Sequence, residues 1–160
     1  MQIVRISLVI LTISAVLSAA EQQTSYGVKY AGGSIPNIKT GEDLKLFLDA
    51  DQVRLSRHKK DDQPILIKAN TVTELSYGQD VHRRIGTAIG LAVISLGIGA
   101  LMAFSKSKKH YIGLVWDAGE GKKGGLVIQA DKNEYRGIIA ALEGLTGKTA
   151  VDTDKGKPNS

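Results

Sequence analysis

Apolar and polar residues alternate along most of the chain, and the period changes to three and four residues only near the end. From Asp43 to Leu48, Leu44, Leu46 and Leu48 fall on one face, with Lys45 and Phe47 on the other, as in a half-buried strand. Asp49-Ala50-Asp51 turns the chain into Gln52–Arg57, which alternates through Val53 and Leu55, so the two runs predict a hairpin. Further strands are predicted at Ile65–Lys68 and Val72–Tyr77, with a short first strand at Val28–Tyr30 ahead of the Gly32-Gly33 turn. His110–Asp117 and Gly125–Ala130 form another predicted pair across the turn at 118–123. Asp131 or Asn133 can cap a helix in which Tyr135, Ile138, Ile139, Leu142 and Leu145 share a face, and which ends before Gly147. Residues 21–27 read as a flexible lead-in and 149–160 as a frayed polar tail.

Several short strands followed by one amphipathic helix, with no alternating βαβ units, predict a mainly β (α+β) domain over residues 21–148. The expected architecture is a bent antiparallel sheet or barrel of about seven strands, its open end covered by the C-terminal helix.

Two stretches break this pattern. Residues 1–20 carry Arg5, an apolar run from Ile6 to Leu17, and Ser18-Ala19-Ala20, which is the layout of a secretory signal peptide cleaved before Glu21. The other reading of this stretch is an uncleaved anchor, for which the apolar run is short. Ile85 to Phe104 is a run of twenty residues without a charge, and as a helix it would extend about 30 Å, the thickness of bilayer hydrocarbon. Ile85, Ile89, Leu91, Val93, Ile94, Leu96, Ile98, Leu101, Met102 and Phe104 are the candidate membrane-contacting residues. Arg83 and Arg84 on one flank, with Lys106, Lys108 and Lys109 on the other, are candidates for lipid headgroups. Gly86 and Gly90 form a Gly-x-x-x-Gly pair that would let two helices approach closely as a homo-oligomer. The competing expectation is a helix or hairpin buried within the domain itself. If the strands on either side of the run share one sheet, a single straight crossing is forbidden, and a turn near 95–99 would return the chain.

Charge and composition narrow the chemistry. The chain carries a formal net charge of +5, one less once Arg5 is removed. That excess suits an anionic membrane surface, and export argues against nucleic acid as the partner. There is no cysteine, so neither a disulfide scaffold nor thiolate chemistry is available. Gly147-Lys148-Thr149 lacks the upstream glycine of a phosphate loop, because Leu142 stands there, and it closes a helix instead of opening one. His58, His82 and His110 each adjoin Lys or Arg, whose charge disfavours a bound metal. No catalytic residue, cofactor or metal site is expected. Asp49, Asp51, Asp117 and Glu120 would matter only if the fold gathered them into one cleft.

Tyr30-x-Gly32-Gly33, the strand around Ile65 and Ile67, Val72-x-x-Leu75-x-Tyr77-Gly78, the strand of Tyr111, and the helix from Tyr135 through Leu142 to Thr146-Gly147-Lys148 carry a resemblance. The chain resembles exported bacterial proteins with a pleckstrin-homology-like (PH-like) fold, of uncharacterised function, over residues 28–148. The resemblance implies a seven-stranded bent sheet capped by a C-terminal helix, and it brings no catalytic signature. The combined expectation is a non-catalytic, membrane-associated cell-envelope module that binds a protein or lipid partner. Two rival expectations are a single-span protein with separately folded halves and a lipid-modifying envelope enzyme.

Overall fold

In the computed structural model, residues 24–57, 62–90 and 109–155 are described. The strands are β1 (Ser25–Gly33), β2 (Asp43–Leu48), β3 (Gln52–Arg57), β4 (Ile65–Lys68) and β5 (Val72–Tyr77), then β6 (His110–Gly119), β7 (Lys122–Ala130) and β8 (Ala150–Asp152). Helix α1 (Val81–Ile89) lies between β5 and β6, and α2 (Tyr135–Thr146) between β7 and β8. All eight strands belong to one sheet, in the order β4-β3-β2-β1-β7-β6-β5-β8. Every pairing is antiparallel except that of β8 with β5. Among the described residues, β4 and β8 stand at the two ends of this order.

The pairing across the apolar run settles the connectivity. β5, before it, pairs with β6, after it, from Val72↔Trp116 to Tyr77↔Ile112. β1 likewise pairs with β7 from Val28↔Ala130 to Gly33↔Leu126. Strands joined by backbone hydrogen bonds cannot lie on opposite sides of a bilayer. The single-span reading with two separately folded halves is therefore overturned.

Both faces of the central strands are covered, and alternation decides which side chain goes where. On the inner face, Leu44, Leu46, Val53 and Leu55 meet Ile112, Leu114, Leu126 and Ile128, and α2 closes this core with Ile138 and Leu142. On the outer face, Ala31, Tyr111, Val115 and Val127 pack against Val81 and Ile85 of α1. A strand buried on both faces loses its polar half-period, which is why β6 and β7 read as near-continuous apolar runs.

Several boundaries differ from the sequence expectation: β1 runs through Gly32-Gly33, with a bulge after Tyr30, where a turn was expected, β6 runs to Gly119, and β7 already starts at Lys122. Residues 25–27 are strand, because Ser25, Tyr26 and Gly27 pair with Phe47, Leu46 and Lys45. Part of the polar tail is ordered as β8, held by β5. Asp131 does not cap α2; its carboxylate accepts the Asn133 N–H at 2.8 Å, and its carbonyl accepts the N–H groups of Glu134 and Tyr135. Helix α1 begins at Val81 and is capped by Gly90 in the left-handed conformation at φ 72°, so no unbroken helix runs from 85 to 104.

Candidate functional site

The outer face of β6 and β7 is shaped by glycine. Gly113 and Gly125 leave a shallow trough, and α1 lies in it. A Cβ on Gly113 would stand 2.5 Å from Val81 Cγ1 and 2.7 Å from Ile85 Cγ1. One on Gly125 would stand 2.8 Å from Ile85 Cγ2 and 2.9 Å from Ile89 Cδ1. Only glycine at both positions lets the helix approach so closely. Ile85 is 0% exposed and Ile89 is partly buried against the same cluster. This corrects the expectation that Ile85 faces lipid, because its apolar surface is already satisfied by the sheet. Gly90 lies past the last helical residue, so Gly86 and Gly90 do not form one continuous helical face for a second copy.

The cations expected at lipid headgroups divide. Arg83 and Arg84 are exposed on the outer side of α1, and Arg84 Nε meets Glu74 Oε1 at 2.5 Å. Lys109 is half-buried at the entry to β6, and its carbonyl accepts the Gln79 side-chain amide. Gln79 stands just before α1, so that bond ties together the two places where the apolar run departs from and rejoins the sheet. Leu91, Val93, Ile94, Leu96, Ile98, Leu101, Met102, Phe104, Lys106 and Lys108 lie outside the described residues, as do residues 1–20, where a signal peptide is expected, and His58. Among the described residues, no helix is long and apolar enough to cross a membrane.

Three buried polar groups accompany α1. Ser76 Oγ, His82 Nδ1 and Tyr111 OH have no hydrogen-bond partner among the described residues. Ser76 pairs with Gly113 in the sheet, two residues from Tyr111. Burial pushes the Tyr111 phenol above its ordinary value.

The sheet edge at β5 is occupied by the chain's own tail. β8 pairs in parallel from Leu75↔Ala150 to Tyr77↔Asp152. Side chains reinforce this strap: Glu143 accepts the Ala150 N–H at 2.7 Å, Asp154 accepts the Gln79 N–H at 2.7 Å, and the Tyr77 hydroxyl donates to Asp152 at 3.0 Å. Thr153 N–H donates to the Tyr77 carbonyl at 2.8 Å. Gly78, at φ 123°, gives the strap room to pass. Desolvation opposes the Asp152 charge, but hydrogen bonds from the Asp154 N–H and the Tyr77 hydroxyl, with Lys155 nearby, hold its carboxyl below the ordinary value. The same hydrogen bond leads the causes that raise the Tyr77 phenol. Sequence patterning missed this strap because three residues are too few to show a period, and its order depends on β5 across the chain.

The carboxylates that an enzymatic reading would require are dispersed. Asp49 and Asp51 sit by the β2–β3 turn, where Asp49 holds Arg54 at 3.0 Å. Asp117 and Glu120 sit at the β6–β7 hairpin, where Asp117 accepts the Gly119 N–H at 2.8 Å. The strand registers place these turns at opposite ends of the sheet. Among the described residues, no group of three or more His, Asp or Glu side chains could hold a metal ion.

Two clefts remain. One lies beside Trp116, Ile35 and Arg57, but Arg57 is already engaged by Glu42 at 3.4 Å, Asp62 at 3.2 Å and the Asn37 carbonyl. The other, of about 740 Å³, lies between the start of β1 and the turn after β7, with Lys29, Lys109, His110 and Lys132 on its rim.

No family model matches the chain, and no curated protein matches it. Among solved structures, the chain is similar to the solution structure of the C-terminal phosphotyrosine interaction domain of APBB2 from mouse. The TM-score is 0.49 at 10% identity, over 78% of this chain and 85% of that one. No residue role is carried across from that likeness.

Proposed function

We propose that the chain is a non-catalytic, PH-like module of the cell envelope, held at a membrane by residues 91–104 and offering its sheet or loops to a protein or lipid partner. The observation that supports this most is the β5–β6 pairing, which brings the chain back to the sheet it left, on the same side of any bilayer. Leu91 to Phe104 is fourteen residues without a charge. Even fully helical, that length reaches about 21 Å, short of the roughly 30 Å of bilayer hydrocarbon. Entry into one leaflet satisfies both the length and the shared compartment. The residues assigned to lipid are then Leu91, Val93, Ile94, Leu96, Ile98, Leu101, Met102 and Phe104, without Ile85 and Ile89.

The test is vesicle flotation of the chain starting at Glu21, so that the leader cannot hold it. Each aspartate placed deep in hydrocarbon costs about 2.5–3.5 kcal/mol. Val93→Asp with Ile94→Asp should therefore leave the protein unfloated while its melting temperature stays within a degree or two. Flotation equal to that of the unsubstituted chain overturns the proposal.

A further inference from the structure

The sheet splits at one corner. β1 is flanked by β2 and β7 together only at Val28 and Lys29, where Val28 faces both Leu44 and Ala130. Before that point Ser25–Gly27 continue along β2 alone, while β7 has ended and the chain turns at Asp131. The wedge left between them is the cleft of about 740 Å³, a volume suited to a small ligand. Gly27 contributes no side chain to fill it, and a Cβ there would meet nothing within 4 Å.

The charges around this wedge are unevenly satisfied. Asp43 is held by Lys29 at 2.5 Å, and Asp131 by the Asn133 N–H. Lys109 and Lys132 border the same cleft, and neither has a carboxylate partner among the described residues. The ring of His110 is stacked on Tyr135, with centroids 4.0 Å apart and 9° between planes, so its orientation on the rim is fixed. Lys109 and Lys132, without an ion pair among the described residues, and the His110 ring line this cleft from the start of β6 and the β7–α2 turn, beside the carboxylates of Asp43 and Asp131. That is a donor set for a compact oxyanion with several acceptor oxygens.

We infer that this cleft binds a phosphate group through Lys109, Lys132 and His110. Lys109 follows the apolar run by five residues in the sequence and stands immediately before the start of β6. The inference deepens the membrane reading and rests on it for one of two sources: the phosphate belongs to a lipid headgroup, or to a free phosphomonoester.

The experiment compares the unsubstituted chain with Lys109→Gln/Lys132→Gln and with the control pair Lys68→Gln/Lys123→Gln, which carries the same charge change away from the cleft. Binding is measured to phosphatidylcholine vesicles with and without phosphatidylglycerol. Backbone amide resonances of nitrogen-labelled protein are followed separately during addition of glycerol phosphate. The expected result is an about tenfold loss of affinity for anionic vesicles in the cleft pair, with the control pair within about twofold. Equal losses in the two pairs would show diffuse surface charge and overturn the inference. If vesicles do not bind but glycerol phosphate moves the Lys109, His110 and Lys132 amides, and the cleft pair abolishes that, the source is a free phosphomonoester. The membrane reading alone then falls. Absence of both effects overturns the site.

Discussion

Replacing Gly113 by alanine puts one methyl group where α1 already lies, and its cost measures whether the helix truly rests on the sheet. The new carbon would stand 2.5 Å from Val81 Cγ1 and 2.7 Å from Ile85 Cγ1. Relief needs the helix to lift by roughly 1 Å, which forfeits a quarter to a half of the dispersion energy along that contact. Overpacking of this kind costs about 1–3 kcal/mol, and Ile85→Ala, from a fully buried site, should cost about 2–5 kcal/mol. The double variant is the sharper probe. Ile85→Ala removes the Cγ1 and Cδ1 atoms that the new methyl would meet on one side while Val81 Cγ1 remains, so the two costs should fall short of additive by about 1 kcal/mol. Urea unfolding followed by far-ultraviolet circular dichroism gives all four free energies. If Ile85 instead faced lipid, Ile85→Ala would cost less than about 0.5 kcal/mol and the pair would be additive. That result would refute the packing of α1.

Tyr77→Phe removes the hydroxyl that donates to Asp152 and should cost about 1 kcal/mol at neutral pH. Asp152 has a depressed folded-state value, so its stabilisation is present above the ordinary carboxylate range and is lost as pH falls through the folded value. Urea unfolding at neutral and acid pH should therefore show a smaller loss on acidification in Tyr77→Phe than in the unsubstituted chain, and an unchanged loss would contradict the assignment. Truncation after Thr149 uncovers the backbone of β5 and should promote concentration-dependent association in sedimentation velocity; a strictly monomeric truncated chain would contradict the strap. Arg84→Ala should change stability by no more than about 0.5 kcal/mol, because its pair with Glu74 is partly exposed, as thermal melting can check.

The strands that alternate were legible in the sequence. β2, β3, β4 and β5 occupy the residues expected from Leu44, Val53, Ile65 and Val72 onward, because each has one buried face and the period of two survives. The second half of the helix pattern was equally plain, since Ile138 and Leu142 point into the core and Gly147 ends α2. Twenty uncharged residues, by contrast, carry no period that separates lipid from sheet as the apolar neighbour. Only Gly113 and Gly125, distant in sequence, reveal that the first residues of the run have a protein partner. Of the cleft beside the start of β1, Lys109 was singled out in the sequence, but His110 was weighed only as a metal ligand, and Lys132 joins the same cleft only because β7 pairs with β6 as far as His110↔Ala130.

The shared side of the two halves can be measured directly, because the chain has no cysteine of its own. Single cysteines at Lys45→Cys in β2 and Lys122→Cys in β7 flank the apolar run in sequence but belong to one sheet. A membrane-impermeant maleimide added to sealed vesicles that carry the protein should label both sites or neither. Labelling of one with protection of the other would place the halves on opposite sides and contradict the account.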